Sequence, residues 1–347
     1  MRKSLLLIVL LPMFCFSQTL IQPIAVNTYK SSMRGLHSVD RNIIWATGTD
    51  GVILKTVDGE KWKLMRQEAL SKLDFRDIHA FNKKEALIMS SGDGCQIYRT
   101  KNGGKKWTSV YTNMAKGIFF DGMDFWDDNS GIAFSDPIDG YFYMIKTNDG
   151  GKSWEKLVPI KMPKILKGEA GFAASGTGIV CKGDSTVFIG TGGGERARVF
   201  KSKNRGKTWK VYDTPLKSGE SYGIYSMSFI NEKHGVVVGG SYLDSTYTDA
   251  ICAVTNDGGA SWTLVAKKGP KGYRSCVSYN RRGVFISCGR TGVDISMDGK
   301  VWRHISDEAY YSCVLNGDVG WLTGKAGKMA KINVKRELVY QYMNFSE

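Results

Sequence analysis

One phrase recurs along the chain: a serine or threonine, an Asp or Asn two positions on, one or two glycines, and a tryptophan. Thr147 to Trp154 is the fullest copy, and Thr255 to Trp262 repeats it almost letter for letter. Thr100 to Trp107 and Ser202 to Trp209 carry Asn102 and Asn204 where the others have Asp58, Asp149, Asp257 and Asp298. Thr56 to Trp62 and Ser296 to Trp302 are one residue shorter. Each copy follows a short apolar run such as Val52–Leu54 or Ile251–Val254, a pattern that predicts strand, hairpin turn, strand. The Asp or Asn oxygen accepts N–H bonds within such a turn, glycine supplies positive φ, and tryptophan folds back as a lid. A calcium loop draws on the same residue types, but no copy offers more than two acidic residues, against the six or more oxygens calcium takes.

The tryptophans recur roughly every 40 to 55 residues, the period of a four-stranded propeller blade. The phrase marks six blades, and a wider repeat marks seven. Second-strand runs occur at Ile43–Gly48, Ala86–Met89, Gly131–Phe134, Val187–Gly190, Gly235–Gly239, Gly283–Ile286 and Gly320–Gly324. The seventh unit continues through Lys328–Ile332 but has no tryptophan turn. Its fourth strand would come from Thr19–Tyr29 or from the run at Leu338–Tyr340, and the sequence leaves both open. Either way, closure removes an exposed sheet edge.

The 347 residues suffice for one large β domain over residues 18–347. Residues 1–17 read as a secretory signal, with Arg2 and Lys3, an apolar run from Leu5 to Leu11, and the small Ser17. We therefore expect an exported chain, periplasmic or secreted, and no later stretch is apolar for the length a membrane span needs. The formal charge of +15 favours anionic partners such as acidic glycans, phosphates or membrane surfaces. No nucleic-acid-binding module is present. The six cysteines after the signal, Cys95, Cys181, Cys252, Cys276, Cys288 and Cys313, lack metal or redox spacing. Buried thiols are expected, with Cys276 and Cys313 the pair to check for a disulfide. No cofactor and no metal site are expected.

Candidate site residues come from aligning the seven units on their inner strands. If the tryptophan turns lie at the bottom, the inner strands begin at the top, around the mouth of the central channel. The residues so aligned are Arg34, Arg76, Asp121, Ala170, Tyr225, Arg274 and Tyr311, with Glu169 beside them and Asp136 on a neighbouring loop. Arginine grips carboxylates bidentately, so Arg34, Arg76, Arg198, Arg274 and Tyr311 are the candidate ligand-binding residues. Were the chain a glycosidase acting on an acidic sugar, Asp121, Asp136 and Glu169 would be its acid and base groups and Tyr225 its nucleophile. A polysaccharide lyase would use the arginines to neutralise the substrate carboxylate while a tyrosine or histidine takes the adjacent proton. The structural alternative is that these arginines and carboxylates pair with one another to pin neighbouring blades.

The recurring turns resemble the BNR or Asp-box repeat of sialidases and related propellers. Phe134-Ser135-Asp136-Pro137, Gly171 to Thr177, Gly190 to Gly193, Ala197 to Phe200 and Gly272-Tyr273-Arg274-Ser275 resemble a bacterial family of exported BNR propellers. Members of that family are labelled oxidoreductase or glycosyl hydrolase-like, and they are similar to the photosystem II stability/assembly factor propellers. The resemblance implies an all-β, seven-bladed β-propeller with six Asp-box hairpins. By analogy with the assembly factors it implies a binding scaffold for an anionic glycan or protein partner on the basic top face. The oxidoreductase label finds no dinucleotide motif, because the glycine run at Gly190–Gly194 leads into a strand rather than a helix. The Arg-Ile-Pro motif of sialidases is absent.

Overall fold

In a computed structural model, which describes residues 20–26, 30–92 and 94–344, the chain forms seven four-stranded antiparallel sheets. The first strands of the seven blades are Met33–Ser38, Asp74–Ala80, Phe120–Phe125, Ile179–Lys182, Tyr222–Phe229, Cys276–Tyr279 and Ser312–Asn316. Each touches the next, and the last touches the first, so they line one central channel. The protein is an all-β, seven-bladed β-propeller. Blade 4 departs from the sequence alignment, since its inner strand begins at Ile179. Ala170 and Glu169 lie instead in the long crossing that precedes it.

The N-terminus closes the ring. Ile21–Ile24 pairs antiparallel with Met329–Asn333, Ile21 opposite Ile332, as the outer strand of blade 7. The alternative strand at Leu338–Tyr340 is part of a helix, Arg336–Asn344. Its Val339 is buried among Leu20, Leu315 and Ile332, with Leu338, Tyr342 and Met343 packed alongside. Apolar residues at helical spacing, rather than alternation, account for that outcome. The segment read as a secretory signal lies outside the described residues, and among those described no helix is long and apolar enough to cross a membrane.

The six tryptophan turns share one bonding scheme. In blade 3 the Thr147 hydroxyl donates to Asp149 Oδ1 at 2.8 Å and accepts from the Gly151 N–H, while Asp149 accepts from the N–H groups of Lys152 and Ser153. Asn102 and Asn204 fill the same acceptor role with an amide oxygen. Each tryptophan then seals a seam. Trp107 of blade 2 meets Trp45 of blade 1 edge-on at 6.2 Å, in a cluster with Ile53 and Phe75.

Inner strands are stitched to one another by side chains. Asp77 accepts from the Met123 N–H at 2.7 Å, Asp124 from Cys181, Ser226 from Val277 and Ser278 from Leu315. Burial pushes Asp77 up to about 7 and Asp124 up to about 6, because a carboxylate loses its hydration there. All six described cysteines are free thiols. Cys276 lies opposite Cys288 and donates to the Cys313 carbonyl, so the Cys276–Cys313 pair is in contact without being a disulfide.

Candidate functional site

Four of the residues picked from the inner strands occupy one kind of position. The pairing of Met33 and Gly35 with the second strand skips Arg34, and the same one-residue bulge isolates Arg76, Asp121 and Tyr225. A bulged residue has no partner in the ladder, so its side chain is free to turn away from the sheet face. Asp136 stands on a further bulge, between Ser135 and Pro137 of the second strand of blade 3. The repeated irregularity gathers side chains at the channel mouth.

A strap crosses that mouth. The crossing from blade 3 to blade 4 drops into the channel from Ala170, which pairs with Gly192 in both directions. The Phe172 ring stacks on Tyr225 with centroids 4.1 Å apart and planes 5° apart. Arg76 donates to the Ala173 carbonyl and Arg34 to that of Ala174. The Ser175 hydroxyl reaches the Ser275 carbonyl of blade 6 at 2.8 Å, and Thr177 bonds Ser226 of blade 5. Two glycines are required for this path. A Cβ on Gly171 would stand 2.6 Å from Asp121 Oδ2, and one on Gly176, whose φ is +74°, would stand 2.3 Å from Asp77 Oδ1.

Above the strap is a pocket of about 260 Å³, lined by Arg34, Arg76, Arg290, Tyr225, Tyr242, Tyr273, Tyr311 and strap residues Phe172, Ala173 and Ala174. Among the described residues no carboxylate lines it. The Arg34 guanidinium carbon sits 4.4 Å from the centre of the Tyr311 ring. Burial, and then the neighbouring Arg76, hold Arg34 below its ordinary value. Arg76 is braced by Asp74 at 2.7 Å, and Arg290 by the Tyr242 carbonyl. Burial raises the phenols of Tyr225 and Tyr273 well above their usual range, so they stay neutral. Such a set can hold an anion by charge and stack a planar group beside it.

The remaining sequence candidates lie elsewhere. Arg274 is fully buried, with 0 % of its surface exposed, and is held by Asp294, Thr291 and the Tyr273 carbonyl. Asp294 in turn bonds His304, and His304 bonds Asp307. Arg198 forms a buried pair with Glu169, whose carboxylate also accepts from Thr191 and from the Leu166 N–H. Neither arginine lines the pocket, and Glu169 anchors the strap. The Tyr225 hydroxyl donates to the Ser221 carbonyl at 2.8 Å. Asp121 is 1 % exposed beneath Gly171, and neither of its carboxyl oxygens has a hydrogen-bond partner among the described residues. Burial and the nearby Asp136 push it well above the carboxylate range. Asp136 accepts from the Gly171 N–H and is pushed up to about 6 by burial. The two carboxyls therefore lie under the strap rather than in the pocket.

Six lining residues were not among the sequence candidates, and Arg290, Tyr242 and Phe172 bear most on the site. Arg290 occupies the two-residue hairpin Gly289-Arg290-Thr291-Gly292, and Tyr242 opens the long second-to-third loop of blade 5. With the tryptophan turns at the bottom, second-to-third loops lie at the top beside the starts of the inner strands, so the tips of these two loops were the available signal. Phe172 gave none, because nothing local tells a crossing that skirts the rim from one that enters the channel.

Among the described residues no group of three or more His, Cys, Asp or Glu is arranged to hold a metal. The chain matches no family profile and no curated protein sequence. Solved structures resemble it at low identity. YCF48 bound to a D1 peptide is 14 % identical with a TM-score of 0.64, over 91 % of this chain and 98 % of that one. The GH74 enzyme of Niastella koreensis is 14 % identical with a TM-score of 0.63, over 91 % of this chain and 54 % of that one. A virginiamycin B lyase from Staphylococcus aureus is 11 % identical with a TM-score of 0.67, over 91 % of this chain and 99 % of that one. What these proteins share with the present chain is the propeller itself.

Proposed function

We propose that the chain is an exported binding propeller whose channel-mouth pocket takes an anionic group of a partner, a carboxylate-bearing protein segment or an acidic glycan. The observation that carries this reading is a pocket lined by three arginines and four tyrosines with no carboxylate among the described residues. Left empty, Arg34 and Arg76 repel each other in a partly dehydrated site; an anion relieves both costs. The pocket volume suits one acidic side chain, chain terminus or sugar unit, so the rest of a larger partner would lie across the top face. The peptide bound to YCF48 offers a parallel for the protein form of the ligand. Export rests on the pattern of residues 1–17.

Hydrolase or lyase chemistry is the second reading, and the geometry gives it less support. Asp121 and Glu169 face no open space, and the Tyr225 hydroxyl is engaged. One experiment separates the two. The mature protein would be mixed with polyglutamate peptide, oligogalacturonate and sulfated oligosaccharides, recording thermal shift and product release, beside Arg34→Gln and Arg290→Gln. A salt-sensitive shift without product, lost in both variants, supports binding. Product formation lost in Asp136→Asn would favour the enzyme. No response from any ligand would count against both.

A further inference from the structure

A second surface, on the rim of blade 3, offers something the channel mouth does not. Among the described residues, the third strand of that blade, Tyr141–Thr147, is covered on its outer side only by Glu155–Leu157. Register runs from Lys146 opposite Glu155 to Met144 opposite Leu157 and stops there. Among the described residues, Tyr141, Phe142 and Tyr143 therefore have no partner strand on the outer side, although on the inner side all three pair with the second strand. In blades 2 and 4 the covering strand reaches almost the whole third strand, from Cys95 to Arg99 and from Arg198 to Lys201; in blades 1 and 5 it pairs with Leu54 and Lys55 and with Ala253 and Val254, but there the third strands are only four residues long.

The cause is local. Pro159 follows the short outer strand, and the chain then leaves blade 3 for blade 4. There the Ile160 N–H bonds the Lys207 carbonyl, and the Lys161 carbonyl accepts from Trp209. The departure opens a groove of about 580 Å³ against the uncovered edge. Its floor is Phe142, Met144 and Leu157, which belong to the buried core. Its wall is Val158, 72 % exposed, and Ile160, 83 % exposed. Lys156 and Lys161 stand on the rim, with Asp139 the acidic lining residue.

A bare strand edge beside exposed aliphatic side chains is a hazard unless something is meant to pair with it. We propose that this edge receives an extended segment of a partner protein as an added strand. Main-chain bonds to Tyr141–Tyr143 would give affinity, and an apolar side chain of the segment would enter the groove against Leu157, Val158 and Ile160. Acidic residues flanking that side chain would meet Lys156 and Lys161. This site lies on the blade rim and stands independently of the pocket.

The test is selection of short linear peptides displayed against the intact protein, followed by synthesis of the best binder and its analogue N-methylated on alternate backbone nitrogens. The expected binder slows hydrogen exchange at Tyr141–Tyr143. N-methylation, Val158→Glu and Ile160→Glu each weaken it by about tenfold or more, and Arg34→Gln leaves it unchanged. Both variants alter exposed side chains, and an unchanged thermal midpoint verifies their folding. Failure to select any peptide, or selection only of peptides that protect the channel mouth, would overturn the proposal. So would a dimer in light scattering that Ile160→Glu makes monomeric, because the occupant would then be a second copy of this chain.

Discussion

Arg34 lies over the Tyr311 ring at 4.4 Å while donating to the Ala174 carbonyl, so one guanidinium joins blade 1, blade 7 and the strap at the pocket wall. Its stacking and its single backbone bond leave donor capacity for a ligand, since guanidinium carries five N–H groups. Arg274 shows the contrast. Asp294, Thr291 and the Tyr273 carbonyl engage it in a fully buried site. We expect Arg34→Gln to leave the urea midpoint nearly unchanged and Arg274→Gln to lower stability by about 3 kcal/mol, because the latter leaves Asp294 without its buried countercharge. Urea denaturation of the two variants checks the difference.

The turns hold the blades through an acceptor, which ionisation strengthens. Asp149→Asn should cost less than Asp149→Ala, as Asn102 and Asn204 already serve at the equivalent positions. Asp149→Ala should cost about 1 kcal/mol or more, since the Lys152 and Ser153 N–H groups lose their acceptor. Denaturation midpoints of both variants decide it; equal losses would point to charge instead.

The strap depends on Glu169. Replacing Arg198 with alanine leaves that carboxylate buried against Thr191 and the Leu166 N–H alone, an arrangement expected to cost about 3–5 kcal/mol. Amide exchange should rise in residues 166–177 before the rest of the molecule. Uniform exchange would mean the strap is held elsewhere.

Stability should peak in mildly acidic solution. Burial raises Asp77 to about 7 and Asp124 and Asp136 to about 6, with Asp121 higher still than usual. The folded protein therefore binds protons more tightly than the unfolded chain between about pH 4 and 7, and stability falls as pH rises through that window. His304 acts in the same sense, since its bond to Asp294 raises it and its contribution disappears as pH rises through that raised value. On the acid side the turn aspartates reverse the slope. At Asp149 burial acts upward, but the bonds from Ser153, Thr147 and Lys152 outweigh it and bring the group to about 2. At Asp257 the Ser261 bonds lead to about 2 as well. Their contribution is present above about pH 4 and lost as pH falls towards 2. Melting curves from pH 2 to 9 should show a maximum near about pH 4, and Asp121→Asn should stabilise the protein more at pH 8 than at pH 5.

The blades were legible because their signal is local. Thr147, Asp149, Gly151 and Trp154 fall within eight consecutive residues, and each copy reports one hairpin. Arg34, Arg76, Tyr225 and Tyr311 were legible as pocket residues because they sit at equivalent points of a repeat. Where the repeat is broken, the reading failed. The crossing into blade 4 aligned Ala170 and Glu169 with inner-strand positions, but the strand begins at Ile179, and the extra residues fill the channel. Arg198 and Arg274 look like their exposed counterparts in sequence; their partners, Glu169 and Asp294, are far along the chain or across a ladder. Closure by Ile21–Ile24 was one of two open choices, decided by the helical spacing of the C-terminal run.

The most direct test of an anion-binding pocket is calorimetric titration of polyglutamate peptide and of oligogalacturonate, at low salt, into the intact protein and into the Arg34→Gln/Arg290→Gln double variant. Wild type should bind at least one of them, and the double variant should bind it weaker by roughly a hundredfold, the effect of losing two charge-assisted hydrogen bonds at about 1.5 kcal/mol each. Equal affinity in the two proteins, or no heat from either ligand in wild type, would contradict it.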